Sequence, residues 1–452
     1  MKLYNTETRK KEEITGKQIK MYACGPTVYD RAHIGNLRTY VNIDILKRAL
    51  RYLGHDVKHV MNITDIEDKI INKSLESGVA CEAITGRCEE MFWKDLDSLN
   101  VSRPDAAPHA TDEKVIAEMV KIIDKLVMDG HAYVANDGSI YFDVEKWPTY
   151  GKLSHLDKKG IKAGARVSQD EYDKENPQDF ALWKATKAGE PSWEGPQGIL
   201  GRPGWHIECS AMSMLYLGET IDIHAGGVDL VFPHHENEIA QSEAYTGKPF
   251  VKNWFHGEHL MVEGKKMSKS SGNLYSIDDL SDKFSVEPLA FRMLCLQSNY
   301  DERLNFTAKS IKDAQNTLNN LRNFIGRLSQ SSGNQSVGAI IKKAETNFDK
   351  ALQDNLNTAK AMAAIFQLIT EINKLEEPKA KEALSFISKI DNFLGLSLSP
   401  EKADAAVKKL FDDYLKAKEA KDWDKSDELR TKIAALGWVA EDTKCDSILR
   451  KK

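Results

Sequence analysis

Two rhythms of apolar residues follow each other from the start of the chain. "KQIKMYACG" reads as a strand that runs into a Gly25-Pro26 loop. "NLRTYVNIDILKRALRYLG" then reads as a helix, because Val41, Ile45, Ala49 and Leu53 share one face and Gly54 supplies the stop. "HDVKHVMNIT" returns to strand character. Strand, loop, helix and strand in this order predict a parallel α/β layer. From about Gly130 to Gly204 the pattern breaks into short strands such as "GSIYFDV", many turn residues and several tryptophans, so an insertion is expected there. "ETIDIHAGG" resumes a buried strand that ends in glycines. Beyond Phe306 the pattern is almost wholly helical, interrupted by "SQSSGNQS" from Ser329 and by a linker, "LSLSPEKAD", from Leu396. There is no internal repeat.

Composition narrows the class. At 452 residues, with 41% hydrophobic and 29% charged residues, the chain is an ordinary globular one of several domains. The polar opening "MKLYNTETRKKEE" does not read as a secretory signal, and no apolar run reaches membrane length, so no membrane association is expected. Six scattered cysteines point to a reducing cytosol and a cytoplasmic location. A net charge of −5 argues against a protein that coats DNA or RNA non-specifically.

Four segments carry candidate chemistry. In "YACGPTVYDRAHIGN", Cys24 closes the first strand, and His33, Gly35 and Asn36 open the helix that follows, where a helix N-terminus favours phosphate. Gly35 lets a nucleotide approach the backbone. "GRPGWHIECSAM" supplies Trp205, His206 and Cys209. "DIHAGGVDLVFPHHENE" ends a strand at Gly226 and Gly227, offers Asp229 to a ribose hydroxyl, and continues into His234, His235, Glu236 and Glu238. Pro233 suits a first helical position, which sets His234 and Glu238 at i and i+4 on one face. In "EGKKMSKSSGN", Lys266 and Lys269 bracket small residues and suit a clamp on a developing pyrophosphate. Taken singly, each segment has a plain reading: acids at a helix start suit the dipole, and lone lysines are solvated. Two zinc signatures fail, since H-E-x-x-H would need histidine where Ile239 stands and a deaminase would need a C-x-x-C that the chain lacks.

Together, HIGN and KMSKS resemble the paired signatures of class I aminoacyl-tRNA synthetases. "CGPTVYD", "GWHIECSAM" and "FPHHENEIAQSEA" resemble the cysteinyl-tRNA synthetase family in particular, and the likeness continues through "DNLNTAKA" and "AKEAKDWDKSDELR". The resemblance implies an α/β fold: a Rossmann-type parallel-sheet catalytic domain with a short insertion, an α-helical bundle and a small C-terminal anticodon-binding unit. Its boundaries would be 1–130 and 204–260 for the two catalytic halves and 131–203 for the insertion. The KMSKS loop and stem-contact region would span 261–305, the DALR-type bundle 306–395 and the C-terminal unit 400–452.

The resemblance also implies one zinc per chain held by Cys24, Cys209, His234 and Glu238, with His235 and Glu236 in a supporting shell or on the surface. Thr64 and Trp205 would contact the amino acid. His33, Gly35, Asn36, Gly227, Asp229 and Lys269 would contact ATP with its magnesium, and His33, Asn36, Lys266 and Lys269 would serve catalysis. Asn36 stands where the bacterial pattern usually has histidine, so it would donate a hydrogen bond without carrying charge. Substrates would be ATP, L-cysteine and tRNA(Cys), with no DNA partner, and the chain is expected to be a monomer. Trp423, Lys418 and Asp427 would meet unpaired bases and phosphates of the tRNA. Lys418 stands where arginine is frequent. Cys81, Cys88, Cys295 and Cys445 match no motif and are read as packing. Three rivals fit less well. A cysteine ligase acting on an amino sugar has a shortened C-terminal part, a zinc hydrolase leaves HIGN and KMSKS unexplained, and a non-catalytic RNA-binding relative would be expected to lack the lysines or the zinc set.

Overall fold

The computed structural model describes residues 1–156, 179–267, 272–331, 333–398, 404–442 and 447–451. Lys269, Cys445 and the centre of the expected linker, 399–403, lie outside them. The chain forms two compact units, Met1–Ala314 with Asn347–Met362, and Gln315–Thr346 with Ala363–Lys452.

The first unit is organised by a four-stranded parallel sheet. Its strands are β1 (Gln18–Ala23), β2 (Asp56–Met61), β3 (Ile221–Gly227) and β4 (Val251–Gly257), in the spatial order β4-β3-β1-β2. Helix α1 (Ile34–Tyr52) crosses from β1 to β2, as the apolar period predicts. The chain then returns to the opposite side of β1 to lay down β3 and β4. The carboxyl ends of β1 and β3 therefore flank the point where the winding reverses, which is where an open α/β sheet takes its ligand. Cys24, Gly226 and Gly227 stand there. Helices α2 (Trp205–Leu217) and α3 (Glu236–Thr246) lie before and after β3 in the chain.

The broken pattern between β2 and α2 folds as its own antiparallel sheet of five short strands, running from Ala132–Val134 to Leu200–Pro203. A buried ion cluster fixes α1. Asp44 Oδ2 lies 2.6 Å from Arg292 Nη2 and 2.7 Å from Arg48 Nε, and Asp44 Oδ1 accepts from Ser102 N at 2.9 Å. Burial opposes the charge on Asp44, but the two guanidiniums outweigh it and hold the carboxyl below its usual range. Arg38, also on α1, donates to the carbonyls of Glu258, His259, Asn299 and Glu302, at 2.5 to 3.2 Å. This ties the helix that begins with HIGN to the chain leading into the KMSKS segment. Asn355 of "DNLN" packs back on this unit, its Oδ1 accepting from Tyr4 N at 2.7 Å and Tyr300 Oη at 2.8 Å.

The second unit is helical as expected, with one correction. Its last segment is a β-hairpin, Trp438–Asp442 paired with Ser447–Lys451. Gly437 turns the chain out of helix Trp423–Ala435 with φ +79°, and Trp438 and Ala440 alternate inward onto Val407, Tyr414, Leu429 and Ile433. A period of two in "WVAED" outweighs the helical context.

Candidate functional site

The site is built at the reversal point from three chain segments. Cys24 follows β1. Cys209 sits one turn into α2, whose first residue is Trp205. His234 and Glu238 come from the segment after β3. That segment differs from the expected helix. Phe232, preceding Pro233, is extended (φ −138°, ψ 131°), and Val231–His235 forms a wide turn before the regular helix starts at Glu236. A residue before proline is pushed out of helical space, so the extended Phe232 suits Pro233 at the start of the turn that leads into the helix. The i,i+4 pair forms nonetheless, with His234 Nε2 3.1 Å from Glu238 Oε1.

Ligand atoms of Cys24, Cys209, His234 and Glu238 all lie within 4.8 Å of one another, and all four residues are buried. The sulfurs of Cys24 and Cys209 are 3.8 Å apart, and Cys24 Sγ is 3.7 Å from Glu238 Oε1. Two thiolates on one tetrahedral zinc, each at about 2.3 Å, would stand about 3.8 Å apart. The donor set thus fits zinc. A second grouping, Cys24 with His224, His235 and Glu238, is equally compact. It offers one thiolate where the first set offers two, with His224 Nε2 2.8 Å from Glu238 Oε2 and His235 Nε2 3.2 Å from Cys24 Sγ.

Those two histidines act as supports. His224 holds the outer oxygen of Glu238 and leaves Oε1 facing the sulfurs. His206 Nδ1 meets His234 Nδ1 at 2.8 Å, leaving His234 Nε2 for the centre. His235 is backed by His256 at 2.7 Å, and His256 by Thr6 Oγ1 at 2.7 Å. Holding the far atoms of Glu238 and His234 in this way fixes the orientation of both and the tautomer of His234. Burial holds His235 and His256 well below the ordinary histidine range. His234 is the exception: burial opposes its charge, but the Cys209 sulfur and Glu238 raise it to about 10, while Cys209 falls to about 6. Glu236 is buried too, so it is not a surface residue. Its carboxylate accepts from the N–H groups of Gly151, Leu153 and Ser154 at 2.8 to 3.1 Å and anchors that loop.

Asn62 links Cys209, whose sulfur is 3.7 Å from its Oδ1, to Thr64, which is buried and bonded to Glu208 Oε2 at 2.6 Å. Trp205 stays 37% exposed and stacks over His234 with ring centroids 4.2 Å apart, so it covers the cluster from the open side.

The nucleotide edge is assembled at the start of α1. His33 is the N-cap. Its Nδ1 accepts from Asn36 N at 3.3 Å, and Asn36 Oδ1 accepts from His33 N at 3.3 Å. This reciprocal cap uses the Asn36 carbonyl oxygen, so its amide NH2 is the part left for a ligand. Burial lowers the His33 imidazole, with Asp229 opposing that fall. A Cβ at Gly35 would lie 2.9 Å from the His33 ring and 3.2 Å from Met267 Sδ, which shows the KMSKS segment reaching the helix start. Glycine at 227 leaves room for the Asp229 carboxylate, which would meet a Cβ there at 2.4 Å. Lys266 is exposed.

In the second unit, Trp423 opens its helix 60% exposed, and Asp427 is exposed one turn on. Lys418 Nζ donates to Ser447 Oγ at 2.8 Å and so ties its helix to the hairpin.

Known proteins resemble this chain along nearly its whole length. The model for "tRNA synthetases class I (C) catalytic domain" matches residues 10–316, and a DALR domain matches 347–399. A cysteine–tRNA ligase of Chlamydia pneumoniae is 44% identical over 98% of this chain and 96% of its own. This chain belongs to the cysteine–tRNA ligase family. Another family member, from Caldicellulosiruptor saccharolyticus, is 43% identical over 98% of both chains. Among solved structures, a Mycobacterium tuberculosis methionyl-tRNA synthetase bound to methionyl-adenylate shares the fold, with TM-score 0.63 at 15% identity over 84% of this chain and 89% of that one.

Two of the histidine supports, His224 and His256, were not singled out by the motifs. His224 and His256 lie near the ends of β3 and β4, at inward positions of runs that read simply as buried strands. Imidazoles in "DIHAGG" and "WFHG", each just before strand-ending glycines, were the available signal.

Proposed function

We propose that this protein activates L-cysteine with ATP to cysteinyl-adenylate and pyrophosphate, then passes the cysteinyl group to the 3′ end of tRNA(Cys), with the substrate thiol read in the buried sulfur–histidine–carboxylate pocket. The observation that carries the reading is the convergence of Cys24, Cys209, His234 and Glu238 beside the start of α1, where His33 and Asn36 stand. Cys24, Cys209, His234 and Glu238 would hold one zinc ion, which when bound supplies a soft Lewis acid that takes the substrate sulfur as thiolate. A serine hydroxyl is harder and far less acidic, and a methyl group has no lone pair to offer.

The chain's own residues do the rest. Trp205 and Thr64 bracket the amino acid and orient its carboxylate toward the nucleotide. His33, Gly35 and Asn36 receive the triphosphate of magnesium ATP at the helix N-terminus. Gly227 and Asp229 meet the nucleoside, with Asp229 accepting from a ribose hydroxyl. In-line attack on the α-phosphate needs positioning and charge stabilisation, not a covalent enzyme intermediate. Lys266 and Lys269 bind the departing pyrophosphate more tightly in the transition state than before it, which raises the rate. The unit over 400–452 presents Trp423 to an unpaired base, with Lys418 and Asp427 on the same element pair. A monomer in the cytoplasm is the working form this reading assumes.

The test is direct. Purified protein should exchange pyrophosphate into ATP when cysteine is added and should charge tRNA(Cys). Exchange without charging, together with cysteine transfer to an amino sugar, would replace tRNA as the acceptor.

A further inference from the structure

Arg31 stands two residues before His33, on the chain that leads into α1. Its guanidinium joins two carboxylates from separate elements. Nη2 donates to Asp95 Oδ1 at 2.7 Å and Nε to Asp95 Oδ2 at 3.1 Å, a two-point fork on the helix Cys81–Ser98. Asp95 is buried, so the fork is fixed from the protein side. Nη1 points the other way and pairs with the exposed Asp278, in the short helix Asp278–Asp282 that follows the KMSKS segment. A partly exposed ion pair contributes little when two long side chains must be ordered to make it. Here Asp95 already holds the planar guanidinium, so the pair orders little more than the short Asp278 side chain.

The two adjacent acids of this turn have different tasks. Asp279 Oδ2 accepts from Ser276 N at 2.8 Å and Ser276 Oγ at 3.1 Å, and its Oδ1 lies 3.0 Å from Lys283 Nζ, so it closes its own turn. Asp278 reaches out of the turn to Arg31. The backbone joins the same two places, since Ile34 N donates to Tyr275 O at 2.8 Å. The flank before the loop meets α1 as well, where Met267 Sδ would stand 3.2 Å from a Cβ at Gly35. The two flanks also meet each other, with Asn273 Nδ2 donating to Lys266 O at 3.2 Å. Both described ends of the KMSKS segment therefore rest on the first turn of α1, and Arg31 supplies the charged tie.

We propose that Arg31 is a positioning residue for the adenylation step. Anchored on Asp95, it holds the chain after KMSKS against the start of α1 through Asp278, and so sets the register of Lys266 and its segment relative to His33 and Asn36. Arg31 acts through these residues and not on the substrate. Losing the tie should therefore lower the rate of the phosphate step and leave the thiol pocket as it is. This rests on the activity proposed above and adds what aligns the two signature segments.

The test is cysteine-dependent ATP–pyrophosphate exchange in four variants. Asp278→Asn removes the tie and leaves the buried fork intact. At low salt its kcat should fall roughly 2- to 5-fold, with KM for cysteine and bound zinc unchanged. The ratio of unaltered to variant kcat should shrink as salt rises from about 0.05 M to about 1 M, because the exposed charge is screened. Asp278→Glu, which keeps the charge, should recover part of the loss. Arg31→Gln should cost roughly 10-fold in kcat, and adding Asp278→Asn to it should cost nothing further, since the two residues act through one contact. An unchanged kcat in Asp278→Asn overturns the proposal. So does a matching rise in KM for cysteine or a loss of zinc, which would mark a general disturbance of the fold, and so do losses that multiply in the double variant. If Arg31→Gln does not fold, Asp278→Asn and Asp278→Glu decide the matter alone. Absence of any cysteine-dependent exchange in the unaltered protein would reject the activity, and this inference with it.

Discussion

The thiol pocket and the nucleotide edge occupy the same end of the same sheet, yet they are built in opposite ways. Around the sulfurs the four candidate ligands are buried, and three of them are held by a neighbouring histidine: Glu238 by His224, His234 by His206 and Cys24 by His235. At the nucleotide edge Asn36, Asp229 and Lys266 are exposed, and the reciprocal cap of His33 and Asn36 is what orders the helix start. The two tasks differ in the same sense. Telling a thiol from a hydroxyl needs fixed, desolvated donors, because hydrophobic fit alone separates near-isosteres by only about 10–200-fold. Stabilising a departing pyrophosphate needs positive charge placed where charge develops, and long lysine side chains supply it without a rigid cage.

The largest expected effect breaks the pocket. Cys209→Ser should lose most of the roughly one zinc per chain measured by elemental analysis, and cysteine-dependent exchange should fall further than the roughly 10–100-fold expected when only a supporting partner is removed. Cys81→Ser, outside the set, should keep its zinc; equal metal in both variants would sink the ligand assignment. Next comes the edge. Lys269→Ala should slow adenylation by roughly 10²–10³ with cysteine binding nearly intact, as removal of one preorganised charge does elsewhere. Lys266→Ala should do the same to a lesser degree. A large loss of cysteine affinity at unchanged maximal rate would erase the contrast between pocket and edge.

His33 caps α1, and the buried anchor of that helix gives a third test. Arg292→Met should destabilise the fold by about 3–5 kcal/mol, because it leaves Asp44 charged and buried beside Arg48 alone. A smaller effect follows from pH. Asp44 is held below its ordinary range in the folded state, so its contribution is fully present above about pH 5 and declines as pH falls through and below the usual carboxylate range near 4. Thermal midpoints between pH 6 and 3 should fall on the acid side in the native chain. A midpoint that rises with acid would contradict the assignment. Outside both regions, Trp423→Ala should weaken tRNA use by about 1–3 kcal/mol in charging assays while leaving pyrophosphate exchange unchanged. Unchanged charging would remove Trp423 from the tRNA contact.

Sequence legibility follows the same division. The crossover β1-α1-β2 was readable because Val41, Ile45 and Ala49 keep a helical period between two apolar strands. The four candidate zinc ligands were readable only through resemblance, since they come from three separated segments and no spacing rule joins Cys24 to Cys209. The wide turn at Val231–His235 escaped because the i,i+4 spacing of His234 and Glu238 reads as plain helix from Pro233 onward, while the regular helix begins at Glu236. The buried role of Glu236 and the pairing of Arg31 with Asp278 depend on loops and helices far apart in the chain, which no local pattern encodes. The terminal hairpin was missed for a different reason: a long helical context masked a short alternation after Gly437.

The most direct measurement is pyrophosphate exchange driven in turn by cysteine, serine, alanine and valine at matched concentration. Selection of the thiol in the buried pocket predicts that cysteine exceeds each of the others by more than the roughly 200-fold that hydrophobic fit can supply. Serine within that margin would contradict it, and would mean that this pocket measures the size of the side chain and not its sulfur.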